Sequence, residues 1–268
     1  MKASPVSILG CGNIGTAIAK GLIRSGKYLV SDITLTRRKI EPIQSLGNSG
    51  FAITTNNVKA VNEAEIIILA VTPLQISDLL DEIAPHIKNS QLLISVVSGV
   101  PISEIQKKIS DASIVRAMPN TAAALCESMV CLSADKENKA GLNKAVEMFK
   151  CIGNTLIIDE EQMASATSLG ACGVAFFLRA IRAASQGGIE IGFHSDEAFT
   201  IAAQTARGAA TLLLDNDSHP EAEIDQVTTP RGATIAGLNE MEHRGFSSAM
   251  IKGITTSTEQ VSGLYKKE

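Results

Sequence analysis

The chain has 268 residues, 45% of them hydrophobic, and a formal net charge of -4. That length suits one large domain or two ordinary ones, and the acidic balance excludes nucleic acid or an anionic membrane surface as the main partner. Five cysteines without a CxxC pair and four scattered histidines exclude a disulfide framework and a metal-ligand spacing. No stretch reads as long and apolar enough to span a bilayer, and no apolar leader is visible at the start of the chain. The expectation is a cytoplasmic protein with reduced thiols, no bound metal and no membrane partner.

The first apolar run, 6–9, feeds directly into Gly10-Cys-Gly12-Asn13-Ile14-Gly15. A helical pattern follows, with Ala17, Ile18, Gly21 and Leu22 on one face. Strand, glycine turn and helix in that order form a dinucleotide fingerprint. Gly10 makes the tight turn, Gly12 lets backbone approach a pyrophosphate, and Gly15 allows close helix–strand packing. The phosphates would sit on the free amides and the positive end of the helix.

A second strand at 33–36 ends in Thr36-Arg37-Arg38-Lys39. An acidic residue near this point serves the ribose hydroxyls of NAD, whereas arginines suit a 2′-phosphate. NADPH is therefore the expected cofactor, with NADH weaker. A short helix at about 39–47, a strand at 51–54 and a loop through Asn56-Asn57 come next. The runs 65–71 and 91–97 are almost wholly apolar, as in parallel strands buried on both faces. The first of them ends in Ala70-Val71-Thr72-Pro73, at the edge where an open parallel sheet presents its ligand. Helices at 74–83 and 102–109, a strand at 113–118 closing on Pro119-Asn120-Thr121, a strand at 130–132, a helix at about 137–150 and a strand at 155–158 complete an alternating pattern. The expected fold is α/β: a Rossmann-like doubly wound sheet over residues 1–160, followed by an all-helical domain over 161–268.

Beyond residue 160 alanine and glycine become frequent and helical spacing dominates. One very long helix is expected at about 160–188, a second at about 195–214, and two more after Pro230 and Phe246. A region of about 105 residues is small to cover so long an apolar helix. A homodimer or larger homo-oligomer through these helices is expected. His219 and Glu221 read as an exposed helix start, and the charged ending Lys266-Lys267-Glu268 as a solvated tail. The stretch Thr228-Thr229-Pro230-Arg231-Gly232-Ala233-Thr234 precedes a helix. Free amides on Gly232, Ala233 and Thr234 would bind a carboxylate or phosphate there, with Thr229 and Thr234 hydroxyls alongside. The competing reading is simple capping by Thr228 or Thr229.

Taken together these residues resemble the pyrroline-5-carboxylate reductase family over nearly the whole chain. The matching blocks are Gly10-x-Gly12-Asn13-Ile14-Gly15, Ala70-Val71-x-Pro73, Arg116-x-Met118-Pro119-Asn120-Thr121, His219-Pro220 and Pro230-x-Gly232-Ala233-Thr234. The resemblance implies NADPH-dependent reduction of 1-pyrroline-5-carboxylate to L-proline, the last step of proline synthesis. It implies that Gly232, Ala233 and Thr234 hold the substrate carboxylate, that the Thr234 hydroxyl meets the ring nitrogen, and that Asn57 faces the adenosine half of the cofactor. Met118, Pro119 and Asn120, with 70–73, would lie beside the cofactor. Three departures from the family pattern stand out: Thr72 in place of lysine, Arg231 in place of glycine, and Gly170-Ala-Cys-Gly-Val-Ala175 in place of a Ser-Gly-Ser-Gly-Pro-Ala stretch. Val174 in place of that proline predicts a straighter helix.

Two other readings compete. A β-hydroxyacid or ketopantoate-type dehydrogenase would use a second-domain lysine as proton donor, and this chain has no lysine between Lys150 and Lys252. A non-catalytic NADP sensor would keep 10–15 and Arg37 but would not need the stretch 229–234.

Overall fold

The computed structural model describes residues 4–110, 112–216 and 218–264, so the charged ending lies outside the described residues. The chain forms two compact units, residues 1–172 with 257–268, and residues 173–256.

The first unit is built on strands β1 (Val6–Leu9), β2 (Ile33–Thr36), β3 (Ala52–Thr54), β4 (Ile66–Leu69), β5 (Leu92–Ser95), β6 (Ser113–Met118), β7 (Ser128–Ala134) and β8 (Gly153–Ile157). They form one sheet in the order β3-β2-β1-β4-β5-β6-β7-β8. The first six strands in that order are parallel; β7 runs antiparallel to β6, and β8 runs parallel to β7. Between them lie α1 (Asn13–Arg24), α2 (Gln44–Asn48), α3 (Asn57–Glu63), α4 (Ile76–Ile83), α5 (Ile102–Gln106) and α6 (Lys139–Phe149).

Why the central strands are continuous apolar runs is clear in β4. Ile66 and Ile68 enter a core with Ile18 and Leu22 of α1 and Phe149 of α6. Ile67 and Leu69 enter the opposite core with Val61 of α3, Leu80 of α4 and Ile105 of α5. Successive strand residues face opposite sides, so covering both sides demands apolar residues at every position. The ladders are shorter than the apolar runs. Residues 70–71 and 96–97 continue past the pairing into the loops at the C-terminal edge. The winding of helices on both faces and the reversal of order at β1 and β4 place a crevice at that edge.

Asn57 departs from its expected place in a loop. It is the first residue of α3, and Asn56 caps that helix by accepting from the Lys59 amide at 2.8 Å. The capping asparagine made a helix start look like a turn.

The long helical stretch also differs from expectation. A 3-10 turn (Glu160–Gln162) leads into α7 (Met163–Ala166), a π segment (Thr167–Cys172) and α8 (Gly173–Glu190). Val174, which stands where the family pattern has proline, lies in the first turn of α8, just after the π segment. The Thr167 and Ser168 hydroxyls donate to the Met163 and Ala164 carbonyls at 2.7 and 3.1 Å, and Asn120 Nδ2 donates to the Gly170 carbonyl at 3.0 Å. Side chains thus supply donors to carbonyls within and just before the widened turn.

Contrary to the sequence reading, Glu160–Glu190 does meet the length and composition of a membrane-spanning helix, with 31 residues and a mean hydropathy of 1.4 over its most apolar window. Arg179 and Arg182 interrupt the run by eye, but alanine and leucine around them keep the average high.

The second unit contains α8, α9 (Ser195–Asn216), α10 (Pro220–Gln226), α11 (Ala233–His243) and the start of α12 (Phe246–Gly263). α8 and α9 pack side by side, and a Cβ on Gly188 would lie 3.0 Å from the Ala198 Cβ. Among the described residues of this unit only Gly173, Ser185 and Ala198 are buried. Phe177, Phe199 and Ile251 are 61%, 57% and 62% exposed. An apolar surface on this scale is an interaction surface.

Candidate functional site

β1 delivers the glycine turn to the sheet's C-terminal edge. Gly10 has φ +84°, and a Cβ there would lie 2.4 Å from Val71 Cγ1 and 3.1 Å from the Ala70 backbone. Only glycine fits. The Gly10 and Cys11 amides donate to the Thr36 carbonyl at 3.2 and 2.7 Å, which fastens the turn to the end of β2. A Cβ on Gly12 would meet nothing nearer than the Gly10 carbonyl at 4.0 Å, so its face is open for a ligand's close approach. Gly15 faces inward instead, with Ile8 Cγ2 3.1 Å from its notional Cβ. No side chain caps α1. The amides of Asn13 and Ile14, in its first turn, are left for an anion, at the positive end of the helix dipole. Burial pushes the Cys11 thiol up, with the Thr16 hydroxyl and Arg37 acting in the opposite direction. The turn therefore carries a neutral thiol at physiological pH.

A cavity of about 950 Å³ opens over this turn. Its walls include Gly10, Gly12, Asn13, Ile14, Thr36, Arg37, Arg38, Asn57, Ala70, Val71 and Thr72, all expected from the sequence to meet a cofactor. Gly15, Pro73, Met118, Pro119 and Asn120 are not among its lining residues. Met118, Pro119 and Asn120 are buried at the end of β6, and the Asn120 side chain accepts from the Ala122 amide at 3.0 Å besides donating to Gly170.

Within the cavity, Arg37 Nη1 donates to the Cys11 carbonyl at 3.1 Å, which fixes the guanidinium beside the glycine turn. Arg38 is exposed and has no ion-pair partner among the described residues. Thr36, at the end of β2 beside these arginines, is buried, and its hydroxyl donates to Asn57 Oδ1 at 2.6 Å. Asn57 Nδ2 in turn donates to Glu82 Oε2 at 2.9 Å. Thr121 and three α4-side residues, Gln75, Asp78 and Glu82, also line the cavity and were not expected there. Their signal in the sequence is a polar stripe at helical spacing, beside the apolar stripe of the buried Ile76, Leu79, Leu80 and Ile83.

The stretch ahead of α11 lies in the second unit. The Gly232 amide donates to the Thr229 carbonyl at 2.9 Å, closing a four-residue turn. That corrects the expectation of a free Gly232 amide: the turn itself uses it. Arg231 occupies the third turn position at φ +60°, where such turns favour glycine. Neither threonine caps α11, whose Gly232 cap has no side-chain bond; the Thr228 hydroxyl donates back to the Ile224 carbonyl at 2.7 Å. The Ala233 and Thr234 amides sit in a first turn that no side chain covers. Gly232 is required sterically, because a Cβ there would lie 2.5 Å from Thr229 Oγ1 and 2.9 Å from the Thr229 carbonyl oxygen. His219 caps α10, its Nδ1 accepting from the Glu221 amide at 3.3 Å, a structural role consistent with an exposed helix start.

Arg116, in the middle of a matching block, is structural. It is 6% exposed and donates from Nη1 to Glu160 Oε1 at 3.1 Å. The same oxygen accepts from the Ile102 amide at 2.7 Å, so Glu160 joins β6 to the start of α5. Burial lowers the Arg116 pKa, and the Glu160 carboxylate opposes that shift. Among the described residues no cluster of three or more potential metal ligands occurs.

The sheet order, the glycine turn and the crevice define a dinucleotide-binding chain of the oxidoreductase class. Comparison with known proteins narrows that class. The model for "NADP oxidoreductase coenzyme F420-dependent" proteins matches residues 5–99, and that for "Pyrroline-5-carboxylate reductase dimerisation" matches residues 160–264. Pyrroline-5-carboxylate reductase 2 of Dictyostelium discoideum is 49% identical over 274 residues, covering 96% of this chain and 92% of that protein. Pyrroline-5-carboxylate reductase 1 of the same organism is 51% identical over 276 residues, covering 98% of this chain; the chain spans half the length of that relative. The crystal structure of Plasmodium falciparum pyrroline carboxylate reductase with NADP bound has a TM-score of 0.90 at 22% identity, covering 99% of this chain and 100% of that one. The chain belongs to the pyrroline-5-carboxylate reductase family.

Proposed function

We propose that this protein reduces 1-pyrroline-5-carboxylate to L-proline with NADPH, the last step of proline synthesis in the cytoplasm. The observation that carries the reading is the pairing, at one sheet edge, of an open-faced Gly12 with Arg37 and Arg38 in the same cavity. The NADP-bound relative and the family membership support it. Residues 1–160 serve as the NADP-binding domain and 161–268 as the helical domain for substrate and dimerisation.

Gly10, Gly12, Asn13, Ile14 and Gly15 form the pyrophosphate turn, with Gly15 acting through helix packing. Arg37 and Arg38 take the 2′-phosphate, Thr36 holds Asn57 toward the adenosine half, and Ala70, Val71 and Thr72 flank the cofactor's passage along the edge. Pro73, Met118, Pro119 and Asn120 act from behind, by shaping the loops that end β4 and β6. The bound cofactor supplies a hydride. The protein holds the imine carboxylate on the Ala233 and Thr234 amides, with Gly232 and Thr229 shaping the turn, and the Thr234 hydroxyl meets the ring nitrogen. Orientation and exclusion of water supply most of the acceleration, since a cyclic imine protonates readily. The absence of a lysine from 151–251 disfavours a hydroxyacid dehydrogenase.

The exposed apolar faces of α8, α9 and α12 are covered by a second copy of the chain, making a homodimer or larger homo-oligomer. The test is NADPH oxidation, followed by its near-UV absorbance, with 1-pyrroline-5-carboxylate and beside NADH. Turnover that is fastest with NADPH is expected. Absence of turnover by a protein that still binds NADPH would refute the substrate assignment.

A further inference from the structure

The adenosine end of the cavity carries a charge of each sign. Arg37, Arg38 and Lys39 line one side; Asp78 and Glu82, four residues apart on α4 and so on one helix face, line another. Glu82 is not free-standing. Starting at the glycine turn, the Gly10 amide lies 3.4 Å from Thr36 Oγ1, the Thr36 hydroxyl donates to Asn57 Oδ1, and Asn57 Nδ2 donates to Glu82 Oε2. Every bond in this chain runs the same way, from donor on the turn to acceptor on the carboxylate. It fixes which end of the Asn57 amide faces Thr36 and brings a full negative charge to the cavity wall.

From this we infer that Glu82 is a cofactor-specificity determinant, setting how strongly the cavity discriminates NADPH from NADH. The inference rests on the cofactor reading proposed above. An acceptor-only carboxylate suits a ribose diol, which donates hydrogen bonds, and opposes a 2′-phosphate, which carries like charge. The acid that NAD-binding folds place at the end of their second strand is replaced here by Arg37. Glu82 offers the same chemistry from α4. The cavity therefore has a phosphate-favouring wall and a diol-favouring wall, and the balance between them sets the preference.

The experiment is calorimetric titration of the protein with NADPH and with NADH, at low and high salt, for the parent chain, Glu82→Gln and Glu82→Ala. Glu82→Gln keeps an acceptor for Asn57 while removing the charge. Its ratio of Kd for NADH to Kd for NADPH is expected to rise roughly fivefold, as for one unit charge lost at a few ångströms in a watery cavity. The rise should shrink at high salt, because screening acts on the charge. Glu82→Ala should raise the ratio too and weaken both cofactors through a loosened Asn57. A purely structural residue would move both Kd values together and leave the ratio unchanged, and that result in Glu82→Gln would overturn the inference. The parent chain and an Arg37→Ala, Arg38→Ala control separate this failure from failure of the underlying reading. Parent binding of both cofactors, with NADPH weakened selectively in the control, upholds the cavity assignment whatever Glu82 does. Failure of the parent to bind either cofactor overturns both.

Discussion

Replacing Glu160 by alanine should be among the most damaging single changes outside the glycine turn. Its Oε1 accepts two hydrogen bonds, from the Arg116 guanidinium and from the Ile102 amide. The Arg116 side chain is 7% exposed, and Glu160 is its ion-pair partner. Removing the carboxylate strands a buried cation and an amide at the start of α5. Stripping a buried ion of its partner costs about 3–5 kcal/mol, with the lower end applying here because the Glu160 side chain is 32% exposed; that is still a large share of the roughly 5–15 kcal/mol that holds an ordinary domain folded. Glu160→Gln keeps an acceptor and should cost less, about 1.5–3 kcal/mol, the range of a hydrogen bond to a charged group. Arg116→Met removes the stranded charge itself, so Glu160→Gln with Arg116→Met should lose less than the two single changes summed. Urea unfolding followed by far-UV circular dichroism, analysed as a double-mutant cycle, measures each term. A loss below about 1 kcal/mol for Glu160→Ala, as for an exposed surface pair, would refute the reasoning.

Changing Arg37 and Arg38 together to alanine should raise the NADPH Michaelis constant about tenfold or more and that for NADH far less, since the phosphate contacts proposed for the pair exist only with NADPH while the Arg37 bond to the Cys11 carbonyl serves both cofactors. Equal effects on the two cofactors would remove phosphate recognition from this pair. Gly10→Ala should abolish NADPH binding and lower the unfolding midpoint, given φ +84° and a 2.4 Å approach to Val71. Near-normal affinity in a cofactor titration of that variant would contradict the close-approach argument. Burial pushes the thiols of Cys11, Cys131 and Cys151 up, and burial with nearby negative charge pushes Tyr28 to about 12. All four are neutral when protonated, so the folded chain resists their ionisation. Their contribution is fully present below the unfolded-state values and is lost as pH rises through the folded ones. The urea midpoint should therefore fall between neutral pH and about pH 10, where unfolded thiols ionise; a midpoint that is flat or rising across that window would refute this.

How much the sequence showed depended on how many faces each segment buries. β4 and β5 were plain because both faces are covered, leaving Ser95 as the one polar residue in either strand. The glycine turn was plain because each glycine is there for a separate steric reason. α3 was hidden by the asparagine that caps it, and the π segment by Thr167 and Ser168, whose hydroxyls bond locally in ways that spacing does not reveal. At the cavity over the glycine turn, the lining residues on the strand ends were legible, as they follow apolar runs. Gln75, Asp78 and Glu82 were not, because a polar stripe on a helix reads the same whether it faces solvent or a ligand. The bond from the Thr36 hydroxyl to Asn57 was not legible either, because it joins residues 21 positions apart, beyond any local pattern.

The left-handed arginine at 231 has a consequence for how sequence can drift at this turn. Few side chains tolerate φ +60°, and the neighbouring Thr229 carbonyl is already held by Gly232. A library randomised at position 231 should sort by backbone preference rather than by charge or size. Glycine, asparagine and aspartate would be recovered readily, and valine, isoleucine and threonine would be depleted. The arginine then marks a position where the chain conserves a shape and leaves the chemistry of the side chain free to vary.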